Sequence, residues 1–448
     1  MKKLLYNALI VNEDESFIGY IAINGDEIAK VGHGEPDNEL VGSGDFHLVD
    51  CEGDMLMPGA VDSHVHFRDP GLTVKGDVAT ESRAAVAGGV TSYMEMPNTK
   101  PLTVTLEAWN DKMERAAGAS LANYSFFIGA TNDNLDTLLA ADYTRVPGVK
   151  LFMGSSTGNM LVDSESMLDR LFASLPALIM VHAEDEGIIR ANRADIEARY
   201  PQGGAPLSLH AWMRSPEACV KATGHAVALA RKHGARLHVA HVSTAAELEF
   251  FSPGDVAGKT ITAETCPHYL LFTSADMDTL GSRVKCNPAI KADADRLALV
   301  KAVRYGVIDT IATDHAPHLP ADKEGDLLHA ASGMPGVQFS LPVMLTMGFT
   351  PQLAARLTAH NPATLFGIVK RGFLRPGYKA DVVRVKRLAE PHTVTDDDVV
   401  SLCGWTPYAG YQIAYSVVTT WVNGHEAYDR GMFTASTSAE PLLFNQKA

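Results

Sequence analysis

The chain has 448 residues, of which 46% are hydrophobic and 20% are charged, and this suffices for a large globular core. Its formal net charge of −15 argues against nucleic acid as the main partner, and no apolar run approaches the roughly 18 residues that a membrane span needs. The five scattered cysteines lack a C-x-x-C spacing, which is typical of free thiols in a reducing compartment. Because the N-terminal residues also lack a signal-peptide pattern, we expect a cytoplasmic protein that acts on a small molecule.

Short strands are predicted at both ends of the chain. Near the N-terminus, Asn24-Gly25 lies between strand-like flanks, which is a strong hairpin signal, and Asn423-Gly424 repeats that pattern near the C-terminus. Residues 377–385 add a turn followed by a β-rich stretch. We therefore predict that residues 1–56 and 367–430 form one small β-sandwich domain, followed by a C-terminal tail at 431–448.

The middle of the chain, residues 57–366, alternates apolar strands with helical stretches, as parallel α/β folds do. Eight strands are predicted, at 56–67, 90–97, 124–130, 149–153, 178–182, 237–242, 260–266 and 307–313. Helical patterns between them include 80–87, 164–174, 216–233 and 293–305. The prediction for this region is a (β/α)8 TIM barrel that carries the β-sandwich domain formed by both termini.

Most of these strands end in a side chain that can bind a metal or form a hydrogen bond. In chain order these residues are His64 and His66, Asn98, Lys150, His182, His241, His268 and Asp314. A single histidine of this kind is more often structural than functional, because histidine is intermediate in burial. Barrel enzymes, however, place their active sites at the carboxyl ends of their strands, so the shared position predicts one site.

Histidine and aspartate in this number indicate metal binding. His64 and His66 are two positions apart in a strand, so their side chains point to the same face. Together with His182, His241 and Asp314 they exceed what one tetrahedral zinc ion needs, and they suit two adjacent metals. Two metals that share a water lower its pKa, and Asp314 can also accept a proton, so the predicted chemistry is hydrolysis of an amide-like bond.

Lys150 lies in the apolar strand 149–153, where a charged ammonium is costly to bury. A buried lysine tends to lose its proton, and the neutral amine can add carbon dioxide to form an anionic carbamate that bridges two metals. The alternative is an ordinary ion pair between Lys150 and a carboxylate such as Glu184 or Glu264.

The motifs as a set resemble the amidohydrolase superfamily, and within it the class I dihydroorotases. The matching segments are H-V-H-F-R-D-P-G (64–71), M-P-N-T (96–99), V-K-L-F-M (149–153), V-H-A-E (181–184), A-H-V-S (240–243), C-P-H (266–268), C-N-P (286–288), T-D-H-A-P-H (313–318), N-P-A-T-L-F-G (361–367) and L-R-P-G-Y-K-A-D-V-V (374–383). The similarity spans roughly residues 1 to 430. Each motif alone is weak, but all of them in this order are highly specific.

The resemblance implies a set of residue roles. One metal has His64, His66 and Asp314 as ligands, the other has His182 and His241, and a carboxylated Lys150 bridges the two Zn²⁺ ions. Asp314 is also the catalytic acid and base. The substrate-binding residues implied are Arg68, Asn98 and His318 for an exocyclic carboxylate and Asn287 for the ring, with His268 as an additional candidate.

The implied activity is reversible cyclisation of N-carbamoyl-L-aspartate to L-dihydroorotate in de novo pyrimidine biosynthesis, by a homo-oligomer that is a dimer or a tetramer. Allantoinases and hydantoinases are the alternative within the superfamily. Arg68 argues against them, because a guanidinium can hold a carboxylate that allantoin and simple hydantoins lack. A metal-free barrel that serves as an assembly partner is a more distant alternative, and the six filled ligand positions argue against it.

Overall fold

A computed structural model of the protein describes residues 2–42, 44–154, 160–434 and 438–445. In chain order the strands are β1 (Lys2–Asn12), β2 (Glu15–Asn24), β3 (Glu27–His33), β4 (Phe46–Asp50), β5 (Met55–Pro58), β6 (Ala60–Val65), β7 (Val90–Glu95), β8 (Asn123–Phe126), β9 (Ile128–Gly129), β10 (Val149–Phe152), β11 (Ile179–His182), β12 (Leu237–Val239), β13 (Ile261–Thr265), β14 (Thr310–Ile311), β15 (Val382–Thr393), β16 (Gln412–Val422), β17 (His425–Asp429) and β18 (Met432–Phe433).

The α-helices lie mainly between the barrel strands. In chain order they are α1 (Asn38–Gly42), α2 (Val78–Ala87), α3 (Leu106–Ala116), α4 (Leu135–Leu139), α5 (Glu165–Ser174), α6 (Glu186–Arg199), α7 (His210–Met213), α8 (Pro216–His233), α9 (Pro267–Leu271), α10 (Met277–Leu280), α11 (Asp293–Arg304), α12 (Ser340–Thr346), α13 (Pro351–Ala355) and α14 (Asn361–Phe366). Among the helices of the described residues, none is both long enough and apolar enough to cross a membrane.

The strands β6 to β14 form the predicted parallel barrel. One run pairs in the order β14-β13-β12-β11-β10-β9 and another in the order β6-β7-β8. Only Phe127 separates β8 from β9, so these two segments are one interrupted strand, and the barrel has eight. Val65 at the end of β6 makes a parallel bridge with His315 just after β14, which closes the ring. The predicted α/β barrel is therefore confirmed.

Local sequence explains why the elements begin and end where they do. Every residue of β6, β7, β10 and β11 is buried, as expected for parallel strands covered on both faces. Helix α8 has the predicted bounds: Pro216 opens it, where a missing N–H costs nothing, and Gly234 ends it at φ +69°. At the start of α2, Asp77 accepts a hydrogen bond from the backbone N–H of Thr80.

Strands from both ends of the chain form one nine-stranded sheet, in the order β18-β17-β16-β15-β5-β1-β2-β3 with β4 also paired to β1. One edge of β1 pairs with β4 along Lys2–Tyr6 and with β5 along Leu9–Ile10, so hydrogen bonding joins all the strands of this β domain into a single branched sheet. The hairpin between β16 and β17 turns at Asn423-Gly424, as predicted. The prediction that strands from both ends of the chain form one β unit is confirmed.

Residues 438–445 lie against the body of the protein. Leu442 and Phe444 are buried in an apolar cluster, and Pro441 makes a parallel bridge with Tyr124 of β8. The carboxylate of Glu440 pairs with Arg371, 2.9 Å away. These contacts tie the end of the chain to the barrel.

Candidate active site

The barrel brings the predicted ligands together at the carboxyl ends of its strands. His64 lies in β6, Lys150 in β10 and His182 at the end of β11, while His241 and Asp314 follow β12 and β14 within three residues. All five side chains are buried. His66, directly after β6, is buried as well.

His64, His66 and Asp314 form the first of two ligand groups. Their ligand atoms all lie within 4.8 Å of one another. The Nε2 atoms of His64 and His66 lie 3.4 and 2.9 Å from the same Asp314 oxygen, Oδ1. Burial raises the pKa of Asp314, but the neighbouring histidines outweigh burial and hold the pKa below its usual range. An ionised oxygen therefore faces two imidazole nitrogens.

Hydrogen bonds on the far side of each ring orient these histidines. The Nδ1 of His64 donates to Glu264 Oε1 at 2.8 Å, and the Nδ1 of His66 donates to Asn98 Oδ1 at 2.8 Å. Burial lowers the pKa of His66 to about 4, so its ring is neutral and carries only that one proton. Its Nε2 lone pair therefore points at the Asp314 carboxylate. His66 Nε2 and Asp314 Oδ1 thus face each other with their electron pairs, and a cation bound between them could accept both pairs.

His182 and His241 form the second group. The Nδ1 of His182 lies 2.9 Å from Nε2 of His241, while Nε2 of His182 donates to Glu184 at 2.9 Å. Burial lowers the pKa of both histidines, so both rings are neutral at pH 7. The rings of His64 and His241 are 5.3 Å apart between centroids, which places the two groups side by side.

Lys150 has a buried amine, and its Nζ forms no hydrogen bond with any described residue. Burial lowers the pKa of Lys150 to about 8, even though the charges of Glu264 and Asp314 oppose that shift. The predicted alternative, an ion pair, is not formed: Glu184 instead bonds to His182 and Arg214, and Glu264 to His64. An orphaned amine with a reduced pKa fits the carbamate bridge.

The backbone at the strand ends adopts uncommon conformations. Arg68, His241 and Asp314 have φ values of +69°, +41° and +47°, in the left-handed region that side chains other than glycine rarely adopt. Such conformations persist where surrounding contacts enforce them, and they are concentrated at functional sites. Beside Asp314, the buried carboxyl of Asp62 accepts hydrogen bonds from the backbone N–H groups of Thr313 and His64 at 3.1 and 3.2 Å.

A pocket of basic side chains, here called the cationic pocket, adjoins the first ligand group. It consists of Arg68, Lys75 and His318. The His318 ring lies between the two cations, with Nε2 3.1 Å from Arg68 Nη2 and Nδ1 3.0 Å from Lys75 Nζ. Burial and then these charges lower the pKa of His318 to about 2, so the ring is neutral. A neutral imidazole accepts at only one nitrogen. Lys75 also pairs with Asp322 Oδ2, 3.1 Å away, so Arg68 is the cation with donors left for an anionic ligand.

The remaining predicted residues lie in the same region with different contacts. The side-chain carbonyl oxygen of Asn98 accepts a hydrogen bond from His66, so the amide nitrogen of Asn98 can donate to a ligand. Asn287 Oδ1 and His268 Nε2 are buried and find no hydrogen-bond partner among the described residues. Burial lowers the pKa of His268 to about 4.

Sequence reasoning missed four functional candidates: Lys75, the histidine partners Glu184 and Glu264, and Asp62. The sequence suggests Glu184 only as an ion-pair partner for Lys150, yet its position two residues after His182 could have indicated a role beside that histidine. Lys75 follows the H-V-H-F-R-D-P-G motif by four residues, which was its only signal. The partnership of Glu264 with His64 had none, because the two are 200 positions apart.

A closed (β/α)8 barrel whose strand ends carry two groups of histidine and aspartate ligands has the architecture of the barrel hydrolases that use metals. The sequence pattern of the amidohydrolase family matches residues 55–427. The chain therefore belongs to the amidohydrolase family.

The individual relatives include a dihydroorotase, an allantoinase and an L-hydantoinase. The chain is 35% identical to a dihydroorotase of Halobacterium salinarum over 416 residues, which cover 91% of this chain and 93% of the relative. It is 31% identical to an allantoinase of Bacillus velezensis, with 92% and 90% covered. Among solved structures it superimposes on L-hydantoinase from Arthrobacter aurescens with a TM-score of 0.90 at 26% identity, over 99% of this chain and 100% of that one. These similarities support the function of a cyclic amidohydrolase.

Proposed function

We propose that this chain is a dihydroorotase that interconverts N-carbamoyl-L-aspartate and L-dihydroorotate, a ring-closing step of pyrimidine synthesis. The observation that carries the proposal is the cationic pocket directly beside the ligand groups. Dihydroorotate has an exocyclic carboxylate next to the ring amide that is broken. Its amide therefore needs the ligand groups, and its carboxylate needs a cationic pocket beside them. The same proposal places the enzyme in the cytoplasm, since all five cysteines are buried free thiols.

The residues present fit two zinc ions. The first group would supply two imidazole nitrogens and a carboxylate oxygen, and the second would supply two imidazole nitrogens, which are common zinc ligands. Lys150 would hold both ions as a carbamate: the Nζ lone pair forms a bond to the carbon of carbon dioxide, one C–O π pair moves onto oxygen, and Nζ releases a proton. Bound there, the two ions would polarise the ring carbonyl and lower the pKa of the attacking water.

The chain's own residues then bind the substrate and move the proton. Arg68 holds the exocyclic carboxylate, with the amide of Asn98 and the ring of His318 as further contacts, and Asn287 faces the ring. In hydrolysis, Asp314 accepts the proton of the attacking water and gives it to the departing ring nitrogen. In ring closure the same carboxylate moves the proton in the opposite direction.

Replacing Arg68 with lysine should impair dihydroorotate turnover, measured as kcat/KM, by at least about tenfold, because the charge remains but the two-pronged contact with a carboxylate is lost. Steady-state kinetics in both directions measure the effect. A matched control is Arg236→Lys, which changes a half-buried arginine bonded to the Leu365 carbonyl, before the start of β12. Unchanged kinetics in Arg68→Lys would remove the main support for the carboxylate assignment.

Replacing Glu184 with glutamine should lower metal affinity by about 10- to 100-fold, the usual effect of losing a carboxylate that orients a ligand histidine. The variant retains the size of the side chain but can present an amide N–H to His182 Nε2, which favours the wrong ring nitrogen for binding. Competition with a chelator measures the affinity. An affinity equal to that of the wild type would mean that Glu184 does not orient His182.

Allantoinase or hydantoinase activity is the second candidate, favoured by the allantoinase and L-hydantoinase similarities. A substrate without a carboxylate would leave Arg68 without an anion to bind. A metal-free assembly partner is the third, and it requires that purified protein contain no stoichiometric metal.

A further inference from the structure

The connection between β15 and β16, residues 394–411, reaches from the β domain to the active-site end of the barrel. It contains a short 3₁₀ turn, Asp396–Asp398, and several buried residues, among them Ser401, Trp405 and Thr406. It contacts the barrel at the Pro317–His318 segment, at Arg283, at Gln338 and at Glu81.

The most direct contact is a hydrogen bond to the cationic pocket. The indole Nε1 of Trp405, which is 3% exposed, donates to the backbone carbonyl of His318 at 2.7 Å. The preceding carbonyl, of Pro317, accepts from Arg68 Nε at 3.1 Å. Two consecutive carbonyls are thus held, one by the β domain and one by the guanidinium of the pocket itself. Any shift of the Pro317–His318 segment would move the His318 ring and Arg68 together.

Two anchors fix Trp405 and its neighbours in place. Arg283 binds both oxygens of Asp396, at 2.9 and 2.5 Å, and also donates to the Thr406 carbonyl at 3.1 Å. The Gln338 side chain donates to the Asp398 carbonyl at 2.7 Å and accepts from the backbone N–H of Val400 at 2.8 Å. The hydrogen bonds from Arg283 and Gln338 therefore hold the loop, and with it the Trp405 indole, in place beside His318.

A third anchor connects the same loop to the residue after Asp314. The buried carboxylate of Glu81 accepts from Ser401 Oγ at 2.6 Å, from the backbone N–H of Leu402 at 3.1 Å and from His315 Nε2 at 2.7 Å. The other ring nitrogen of His315 accepts from the backbone N–H of Gly336 at 3.1 Å. The loop therefore contacts the chain after the eighth barrel strand at two places: at His315 through Glu81, and at His318 through Trp405.

We propose that residues 394–411 position the cationic pocket for the substrate carboxylate, with Trp405 as the positioning residue that acts through His318 and Arg68. The identity of the carboxylate as that of dihydroorotate rests on the function proposed above. Trp405 touches no substrate; it holds the His318 carbonyl. Without that N–H, the part-buried carbonyl loses its partner and the segment can move, so the pocket should bind the anion less well while the ligand groups stay intact.

The variant Trp405→Phe retains a buried ring beside Lys323 and Arg283 but removes the donor. We expect KM for dihydroorotate to rise about fivefold or more, kcat to change about twofold or less, and metal content to stay at the wild-type value. The matched control is Trp109→Phe, because Trp109 is 4% exposed and its Nε1 donates to the Phe126 carbonyl, also at 2.7 Å. Both variants should lose some thermal stability, but only Trp405→Phe should change KM. Equal KM values in the two variants would overturn the proposal.

A second background tests whether Trp405 acts through His318. In a protein that already carries His318→Gln, adding Trp405→Phe should raise KM by a smaller factor than it does in the wild type, because one of the two pocket side chains that it positions is gone. A full additional effect in that background would show that Trp405 acts by another route, and it would contradict the proposal.

Hydrogen exchange of the backbone gives a readout that needs no substrate. Exchange in residues 315–319 should be faster in Trp405→Phe than in the wild type and unchanged in Trp109→Phe. Wild-type protein that fails to act on dihydroorotate would refute the proposed function alone, whereas unchanged exchange in Trp405→Phe would refute the positioning role alone.

Discussion

Replacing Asp314 with asparagine is expected to lower turnover by about 10²- to 10⁴-fold, the contribution of a positioned acid–base group, while at least one metal stays bound. Asparagine keeps an oxygen ligand at the position where Asp314 faces His64 and His66, but it cannot accept the proton of the attacking water. Steady-state rates in both directions and metal analysis of the same preparation measure the two effects separately. Loss of turnover with metal retained is the signature of a missing base.

The matched control is Asp309→Asn, the same substitution just before the start of the eighth strand. Asp309 is 2% exposed, and it pairs with Lys259 at 2.6 Å, far from the ligand groups. That variant should lose stability but retain its turnover rate. Near-normal turnover in Asp314→Asn would mean that another group carries the proton, and His268 would be the first to test.

Replacing Lys150 with alanine should remove metal and activity together, with turnover falling by about 10²-fold or more. The physical reason is that the proposed carbamate would be an anionic ligand shared by both metals, and its charge would offset their mutual repulsion. Small carboxylic acids such as acetate or propionate should restore part of both, because they can supply the missing carboxylate. Metal content and dihydroorotate turnover, each measured with and without the acid, are the readouts.

A second buried lysine provides the control for the rescue. Lys112 is also 1% exposed, but its amine pairs with Glu95 at 2.8 Å and donates to the Met96 carbonyl. Lys112→Ala should destabilise the protein, and acids should not rescue it. A metal-loaded structure with an unmodified Lys150 amine pointing away from both ions would contradict the bridge.

The fold could be predicted from local pattern where each element carries its own signal. The parallel strands are short apolar runs because both faces are covered, and α8 has a proline at its start and a glycine at its end, so its bounds were predicted to the residue. The break at Phe127 between β8 and β9 and the branching at β1 could not be predicted, because they depend on which distant strands become neighbours. The same holds for residues 394–411, whose contacts are almost all with segments far along the chain.

The site could be predicted in outline for a related reason. The sequence shows which residues lie at the end of a strand, and the ends of parallel barrel strands meet in one place. The sequence alone therefore suffices to group His64, His182 and Asp314. The partners that orient them are set by three-dimensional packing: Glu264 pairs with His64 across 200 positions, and Trp405 bonds to His318 across 87. No spacing rule predicts such pairs.

The most direct test of the account is a spectrophotometric assay of the metal-loaded wild-type protein with L-dihydroorotate, N-carbamoyl-L-aspartate and allantoin in parallel. The cationic pocket beside the ligand groups predicts that the protein opens dihydroorotate, closes carbamoyl aspartate, and leaves allantoin essentially unchanged. Robust hydrolysis of allantoin with none of dihydroorotate would contradict the proposed function, because Arg68 would then have no substrate anion to bind.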